Sequence, residues 1–396
     1  MYKHFLDRWF RGLTGHVFAV RFWDGSLKTY GEGSPTFTII IKKESVLGEI
    51  ARNLSLGFGE AYMRGDVDVE GSVPELCAMF HGTDIKNASL SFGAKVANFI
   101  LRQQHRGRLG RAQKNVEHHY DLGNDFYAMW LGKERLYSCA YFKAPHDSID
   151  TAQANKLEHI CKKLFLQAGE TLLDVGCGWG ALVIHAAKKY GVKAYGITLS
   201  KGQFEYASQR VREEGLTDQI TIELVDYREL IRRGVTFDKV VSVGMFEHVG
   251  LKQYPEYFAA TDQLMKPGGI GVLHTIGKMQ SGAFDPWVEK YIFPGAHLPG
   301  LDEIASTINR FAFRVTDIEN WRPHYAFTLD HWLEGFEANI EKVRGMYGES
   351  FVRMWRLYLA GSSAGFRYGD LDLWQIQFTK GLRNDLPLTR EYLYQE

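Results

Sequence analysis

Thr171-Leu172-Leu173-Asp174-Val175-Gly176-Cys177-Gly178-Trp179-Gly180 is the stretch from which the fold is read. Its first five residues form an apolar strand, and the rest is a glycine-rich turn that opens a helix over residues 181–190. The glycines permit a tight turn, and their missing side chains let a ligand approach the backbone at a helix N-terminus. Outward from this loop the alternation continues. A strand at 193–198 precedes a helix at 201–214, and further strands follow at 220–225, 238–243 and 269–275. This periodicity predicts a Rossmann-like α/β domain, a parallel doubly wound sheet covered on both faces. Beyond a strand at 314–318 the chain reads as mainly helical, with a last strand at 373–379 expected as an antiparallel edge. Toward the N-terminus, Phe18, Val20 and Phe22 alternate, Asp24-Gly25 supplies a hairpin turn, and 36–41 is a second strand. Val46, Ile50 and Leu54 then recur at helical intervals within 45–80, which predicts a small α+β N-terminal domain.

With 396 residues, 45% of them hydrophobic, the chain is long enough for such a domain plus smaller partners. The formal net charge is zero, so no global field draws the protein to nucleic acid. The start, Met1-Tyr2-Lys3-His4, lacks the apolar core of a secretion signal, and no apolar run is long enough to span a bilayer. Cys77, Cys139, Cys161 and Cys177 lack metal-site or disulfide spacing, which predicts reduced thiols in a cytoplasmic protein and no metal. Residues 86–115 contain no Asp or Glu but carry Lys86, Lys95, Arg102, Arg106, Arg108, Arg111 and Lys114. That segment reads either as a solvated linker or as a surface whose basic end meets lipid phosphates. Domain boundaries are expected at 1–100, a linker at 101–120, and 121–396.

Asp174 opens the glycine loop, and the Lys-Ser/Thr pair of a phosphate-binding loop is missing after Gly180. The second strand ends in Thr198-Leu199-Ser200, without the acidic residue that nicotinamide enzymes place there. The ligand expected is therefore S-adenosylmethionine. Gly176, Gly178 and Gly180 would run along the methionine moiety. Thr198 and Gln203 would meet the ribose, Asp226-Tyr227 the adenine, and Leu199 also belongs to the expected binding set.

The chain then resembles one family, the cyclopropane-fatty-acid-phospholipid synthases and their mycolic-acid relatives. The matching pieces are His118-His119-Tyr120-Asp121-Leu122-Gly123-Asn124, Tyr137-Ser138-Cys139-Ala140-Tyr141-Phe142, and the glycine loop. Further matches are Val243-Gly244-Met245-Phe246-Glu247-His248-Val249-Gly250, Leu273-His274-Thr275-Ile276-Gly277, and Asp285-Pro286-Trp287 through Phe293-Pro294-Gly295. They run in order from about residue 115 to about 380. The N-terminal 100 residues look like the extra domain of phospholipid-acting bacterial members. The resemblance implies a class I S-adenosylmethionine-dependent methyltransferase fold and a methylene transfer to the cis double bond of a phospholipid acyl chain. In that chemistry the alkene attacks the sulfonium methyl, leaving a carbocation; a base takes a proton from the new methyl, and the ring closes. The resemblance further implies bound bicarbonate as the base, caged by Cys139, Glu247, His274, the Ile276 backbone and Tyr325. Tyr137 and Ser138 would hold the methionine carboxylate. A homodimer at the inner face of the membrane is also implied. One departure is Ser362, which stands where many members have a cysteine, so no covalent role for that cysteine operates here.

Independent of any family, an alkene offers no polar handle, so its site must be apolar. A carbocation needs electron-rich, non-nucleophilic neighbours such as aromatic faces. Water must be kept out. Several residues keep two readings at this level. Cys139 is a buried thiol or a ligand, His118 and His119 are structural or metal-binding, and Glu247 is itself the base or accepts from bicarbonate. Rival functions are methyl addition giving a branched chain, methylation of a small amine, and a non-catalytic lipid carrier.

Overall fold

The computed structural model describes residues 2–13, 15–82, 122–282 and 284–395. The basic segment 86–115, the linker expected at 101–120 and the stretch from His118 to Asp121 lie outside the described residues. The chain divides into two compact units. The first takes the described residues within Met1–Arg106, Ala283–Pro294 and Leu329–Asp370; the second takes those within Gly107–Gly282, Gly295–Thr328 and Leu371–Glu396. The chain is thus partitioned differently from the expected 1–100 and 121–396. The cause is apolar burial at long range. Ala360 and Ala364, on the helix Glu349–Arg367, share one cluster with Phe18, Val20 and Ile39.

The first unit carries a four-stranded sheet of β1 (Phe18–Arg21), β2 (Leu27–Tyr30), β3 (Phe37–Ile41) and β4 (Val67–Gly71), in the order β2-β1-β3-β4. Gly25, at φ 80°, makes the β1–β2 turn, and Asp24 accepts the Ser26 amide at 3.0 Å. The helical reading of 45–80 is corrected at β4. Gly65 ends the helix Leu54–Arg64 in the left-handed region at φ 76°, and Val67 and Val69 then pair with β3 at strand spacing. The matched Asp285-Pro286-Trp287 belongs to this unit. Asp285 Oδ1 accepts from the Trp287 and Val288 amides and from Ser55 Oγ, which starts the helix Pro286–Tyr291. A Cβ on Gly59 would lie 2.3 Å from the Trp287 ring, so only glycine fits beneath it.

The second unit is built on a seven-stranded sheet, β5 (Thr171–Val175), β6 (Lys193–Thr198), β7 (Ile220–Leu224), β8 (Phe237–Val243), β9 (Met265–Gly277), β10 (Phe313–Asn320) and β11 (Asp372–Lys380). Its order is β10-β11-β9-β8-β5-β6-β7. Strands β7, β6, β5, β8 and β9 are parallel, whereas β11 is antiparallel to both its neighbours. Both faces are buried, and successive residues enter opposite cores. Leu172, Val241 and Val272 join one cluster, while Leu173, Val240 and Leu273 join the other. The expected edge position of the last strand is corrected. Eight of the nine residues in β11 are buried, which suits an interior strand, while β10, mostly exposed, is the edge.

Candidate active site

Chain order fixes where a ligand can enter this sheet. After β5 the chain winds outward through β6 and β7, then returns to place β8 on the other side of β5. Loops at the strand C-termini diverge at this switch point and leave a crevice. A cavity lies there. It is lined by Tyr137, Ser138, Asp174, Gly176, Gly178, Thr198, Leu199, Gln203, Asp226 and Tyr227, as expected from the sequence. Arg135, Lys156, Trp179, Met245 and His248 also line it, and none of them was anticipated as a ligand contact.

The loop is shaped by its glycines. Gly176 sits at φ 91°, and the amides of Gly176 and Cys177 both donate to the Ile197 carbonyl, at 3.0 and 2.9 Å. Gly178, at φ 54°, has open space where a Cβ would project. Gly180 is the exception among the expected contacts. It does not line the cavity, and a Cβ there would meet Ala207 at 3.1 Å, so its role is to let two helices approach. Trp179 is held by the matched Gly123-Asn124 pair, since its Nε1 donates to Asn124 Oδ1 at 2.8 Å.

Polar groups on the rim are partly engaged already. Thr198 Oγ1 donates to Gln203 Oε1 at 2.7 Å. Asp226 caps the helix Tyr227–Arg232 and takes a two-point contact from the Arg228 guanidinium, at 2.7 and 2.6 Å. Its carboxylate therefore comes to a ligand already paired. Asp174 is buried, its Oδ1 has no hydrogen-bond partner among the described residues, and burial pushes its carboxyl up to about 7.

A second cluster adjoins the cavity through consecutive residues, Ser138 beside Cys139 and His248 beside Glu247. Glu247 lies in the single 3-10 turn Phe246–His248 that follows β8. Its Oε1 accepts the Ile276 amide at 2.7 Å, while Oε2 is buried without a partner among the described residues. Burial drives this carboxyl up to about 7, against the opposing donation from Ile276 and the Thr275 hydroxyl. The Ile276 N–H, expected to face an anion, is thus already spent on Glu247. His274, two residues earlier on the same face of β9, is equally buried. Its Nδ1 meets Gln375 Nε2 at 3.3 Å across the β9–β11 ladder, and its Nε2 has no partner among the described residues. With Gln375 Nε2 as the donor, Nδ1 is the acceptor and the ring proton sits on Nε2. Desolvation holds the imidazole well below its ordinary value, hence neutral.

Trp321 touches two of the remaining expected residues, His274 and Cys139, and precedes Tyr325 by one helical turn. Its ring packs edge-on against His274 at 5.3 Å, and its carbonyl accepts the Tyr325 amide at 3.2 Å. Cys139 Sγ lies 4.0 Å from the same carbonyl and 3.2 Å from that of Ala140. Burial raises the Cys139 thiol far above its usual range, so it is a neutral donor and no nucleophile. Tyr141 stacks between Trp321 and His324, both at 4.7 Å, completing an aromatic wall. Among the described residues no group of three His, Cys, Asp or Glu side chains is placed to hold a metal ion.

The strand order, the glycine loop at the switch point and the buried strand-end acids define a class I S-adenosylmethionine-dependent methyltransferase. Comparison with known proteins narrows this. A family model described as mycolic acid cyclopropane synthetase matches residues 108–376, and a domain of unknown function, DUF7884, matches residues 1–87. A probable fatty acid methyltransferase of Pseudomonas putida is 38% identical over 95% of this chain and 95% of its own. The cyclopropane-fatty-acyl-phospholipid synthase of Escherichia coli K12 is 37% identical over 90% of this chain and 92% of its own. Among solved structures, mycolic acid cyclopropane synthase CmaA1 complexed with SAH and CTAB superposes with a TM-score of 0.64 at 33% identity. It covers 68% of this chain and 98% of that one. The chain belongs to the mycolic acid cyclopropane synthetase family.

Proposed function

We propose that the protein transfers a methylene unit from S-adenosylmethionine to the cis double bond of an unsaturated phospholipid acyl chain, forming a cyclopropane fatty acid. The observation that carries this reading is the buried set of Glu247, His274, Cys139 and Trp321 next to the nucleoside cavity. Bound in that cavity, the cosubstrate supplies an electrophilic methyl group. Tyr137 and Ser138 hold its carboxylate, Thr198, Leu199 and Gln203 its ribose, and Asp226 with Tyr227 its adenine. The aromatic faces of Trp321 and Tyr141 stabilise positive charge on the acyl chain at roughly 0.5–2 kcal/mol per ring, more when desolvated. Neither the neutral Cys139 thiol nor the neutral His274 is suited to capture a cation, and burial keeps water from doing so.

Removing the last proton needs a base. When Glu247 is ionised and His274 carries its proton on Nε2, the free Oε2 and the Nε2–H are an acceptor and a donor, the pair that a hydrogencarbonate ion requires. Cys139 and Tyr325 would add donors, and the Ile276 amide would join once shared with or released by Glu247. Bicarbonate held there supplies a base that is discarded and replaced each turnover, and Glu247 orients it. The related E. coli protein, named for a phospholipid substrate, supports the lipid reading. We place the enzyme in the cytoplasm at the inner face of the membrane, as a homodimer, with the basic segment 86–115 toward anionic lipid.

The test is direct. Purified protein, S-adenosylmethionine and dioleoyl phospholipid vesicles are incubated, and the fatty esters are separated by gas chromatography with mass detection. A new ester heavier by one CH₂ and lacking an alkene is the expected product. The name of the Pseudomonas putida relative keeps a methyl-branched product in view, and that ester elutes separately. A wild type that binds S-adenosylhomocysteine yet leaves the acyl chains unchanged would refute the proposal.

A further inference from the structure

Among the described residues of the second unit three lysines are buried, and two of them have conventional partners. Lys163 is clamped by Asp317 at 2.8 Å and Glu319 at 2.5 Å, and Lys239 meets Glu170 at 3.4 Å. Lys156 does not follow them. It is 1% exposed, on the helix Ile149–Lys163, and its Nζ donates to Ser138 Oγ at 2.8 Å. No carboxylate among the described residues lies within ion-pair distance of it. An ammonium in so dry a place, satisfied by one neutral hydroxyl, is costly.

The opposite charge is present in the same cavity and equally unsatisfied. Asp174 is 2% exposed, lines the cavity with Lys156 and Ser138, and leaves Oδ1 without a donor. The two charged groups feel each other but do not form an ion pair. A cavity wall that holds one lysine amine without a carboxylate and one carboxyl without a donor fits a ligand end bearing both charges.

We infer that Lys156 and Asp174 form a two-point clamp for an α-amino acid zwitterion, with Lys156 Nζ and Ser138 Oγ taking the carboxylate and Asp174 Oδ1 taking the ammonium. Lys156 is thereby a binding residue for the methionine end of the cosubstrate, which rests on reading the cavity as the S-adenosylmethionine pocket. The clamp also has a consequence for geometry. It anchors the chain that carries the sulfonium, so the reacting methyl is held at a fixed reach from the aromatic cluster. Burial pushes both the Lys156 ammonium down and the Asp174 carboxyl up to about 7, a cost that the ligand's opposite charges remove.

The experiment compares two ligands by calorimetry. S-Adenosylhomocysteine has the amino acid end; 5′-methylthioadenosine keeps the nucleoside and thioether but lacks it. Lys156→Met should weaken S-adenosylhomocysteine by about ten- to a hundredfold and leave 5′-methylthioadenosine within about twofold. Asp174→Asn should show the same selectivity, and serves if the lysine variant does not fold. Decarboxylated S-adenosylhomocysteine should bind wild type and Lys156→Met alike. An equal loss for all ligands in folded protein, or no loss for S-adenosylhomocysteine, overturns the clamp. A wild type that binds none of the three overturns instead the reading of the cavity itself.

Discussion

Ile276 gives its amide hydrogen to Glu247 Oε1 at 2.7 Å. This bond ties β9, which carries His274, to the turn after β8. It also spends one oxygen of Glu247 on the scaffold and leaves the other for chemistry. Replacing Glu247 by Gln keeps an acceptor for Ile276 but removes the charge. Turnover should fall by about a hundredfold or more, the usual weight of a positioned acid–base group. Affinity for S-adenosylhomocysteine, measured by calorimetry, should remain near wild type. A parallel loss of both would make Glu247 a structural residue.

The same carboxyl makes stability depend on pH. Its folded-state value is about 7, against an ordinary 4.5, because the group is buried. Between those limits the folded chain keeps a proton that the unfolded chain has released. Stability therefore declines as pH rises through this window and levels off above it. Glu247→Gln lacks the group and should not share this decline. The stability difference between variant and wild type, from urea titrations below pH 4.5 and above pH 7, should shift by about 3 kcal/mol in favour of the variant.

Two loop glycines should fail in different ways. A methyl on Gly176 would lie 2.9 Å from Met245 Cβ, at a φ of 91° that side chains rarely adopt. Gly176→Ala should cost roughly 1–3 kcal/mol in stability. At Gly178 the methyl meets nothing within 4 Å and projects where the cavity is open. Gly178→Ala should unfold within a few degrees of wild type while binding S-adenosylhomocysteine more weakly. Thermal melts with calorimetry separate the two, and an unimpaired affinity in Gly178→Ala would place the ligand elsewhere.

The acid-free segment 86–115 offers a test of its own. Substituting Arg102, Arg106, Arg108 and Arg111 with Gln should weaken sedimentation with anionic vesicles. The deficit should shrink as salt is raised, because added ions screen the wild-type attraction too. Unchanged sedimentation at low salt would leave the segment a linker.

The parallel strands and the helices between them were readable because their signals are local. β5 and β6 coincide with the expected 171–175 and 193–198. β4 was missed because five residues of strand spacing lie hidden between two helical runs, and only the partner strand β3 makes them a strand. Most residues of the cavity wall were legible too, since they follow the strand ends. Gly180 was assigned to the ligand because spacing alone cannot tell a glycine that faces a cavity from one that faces a helix. Lys156 gave no signal at all. A lysine in a helical stretch reads as a solvated charge until its surroundings are known.

What the amino-acid order determined is the doubly wound sheet, its glycine loop and the candidate acids, because periodicity and turn chemistry depend on near neighbours along the chain. What only the folded structure decided is that β11 lies inside the sheet, that Trp321 meets Cys139 and His274, and that burial raises the Glu247 carboxyl and lowers the His274 imidazole. Protonation follows from desolvation, and desolvation is set by every atom that packs around a group. Residues 139, 274 and 321 are brought together, and Glu247 is tied to the strand that carries His274, by strand pairing and helix packing, which no local pattern encodes.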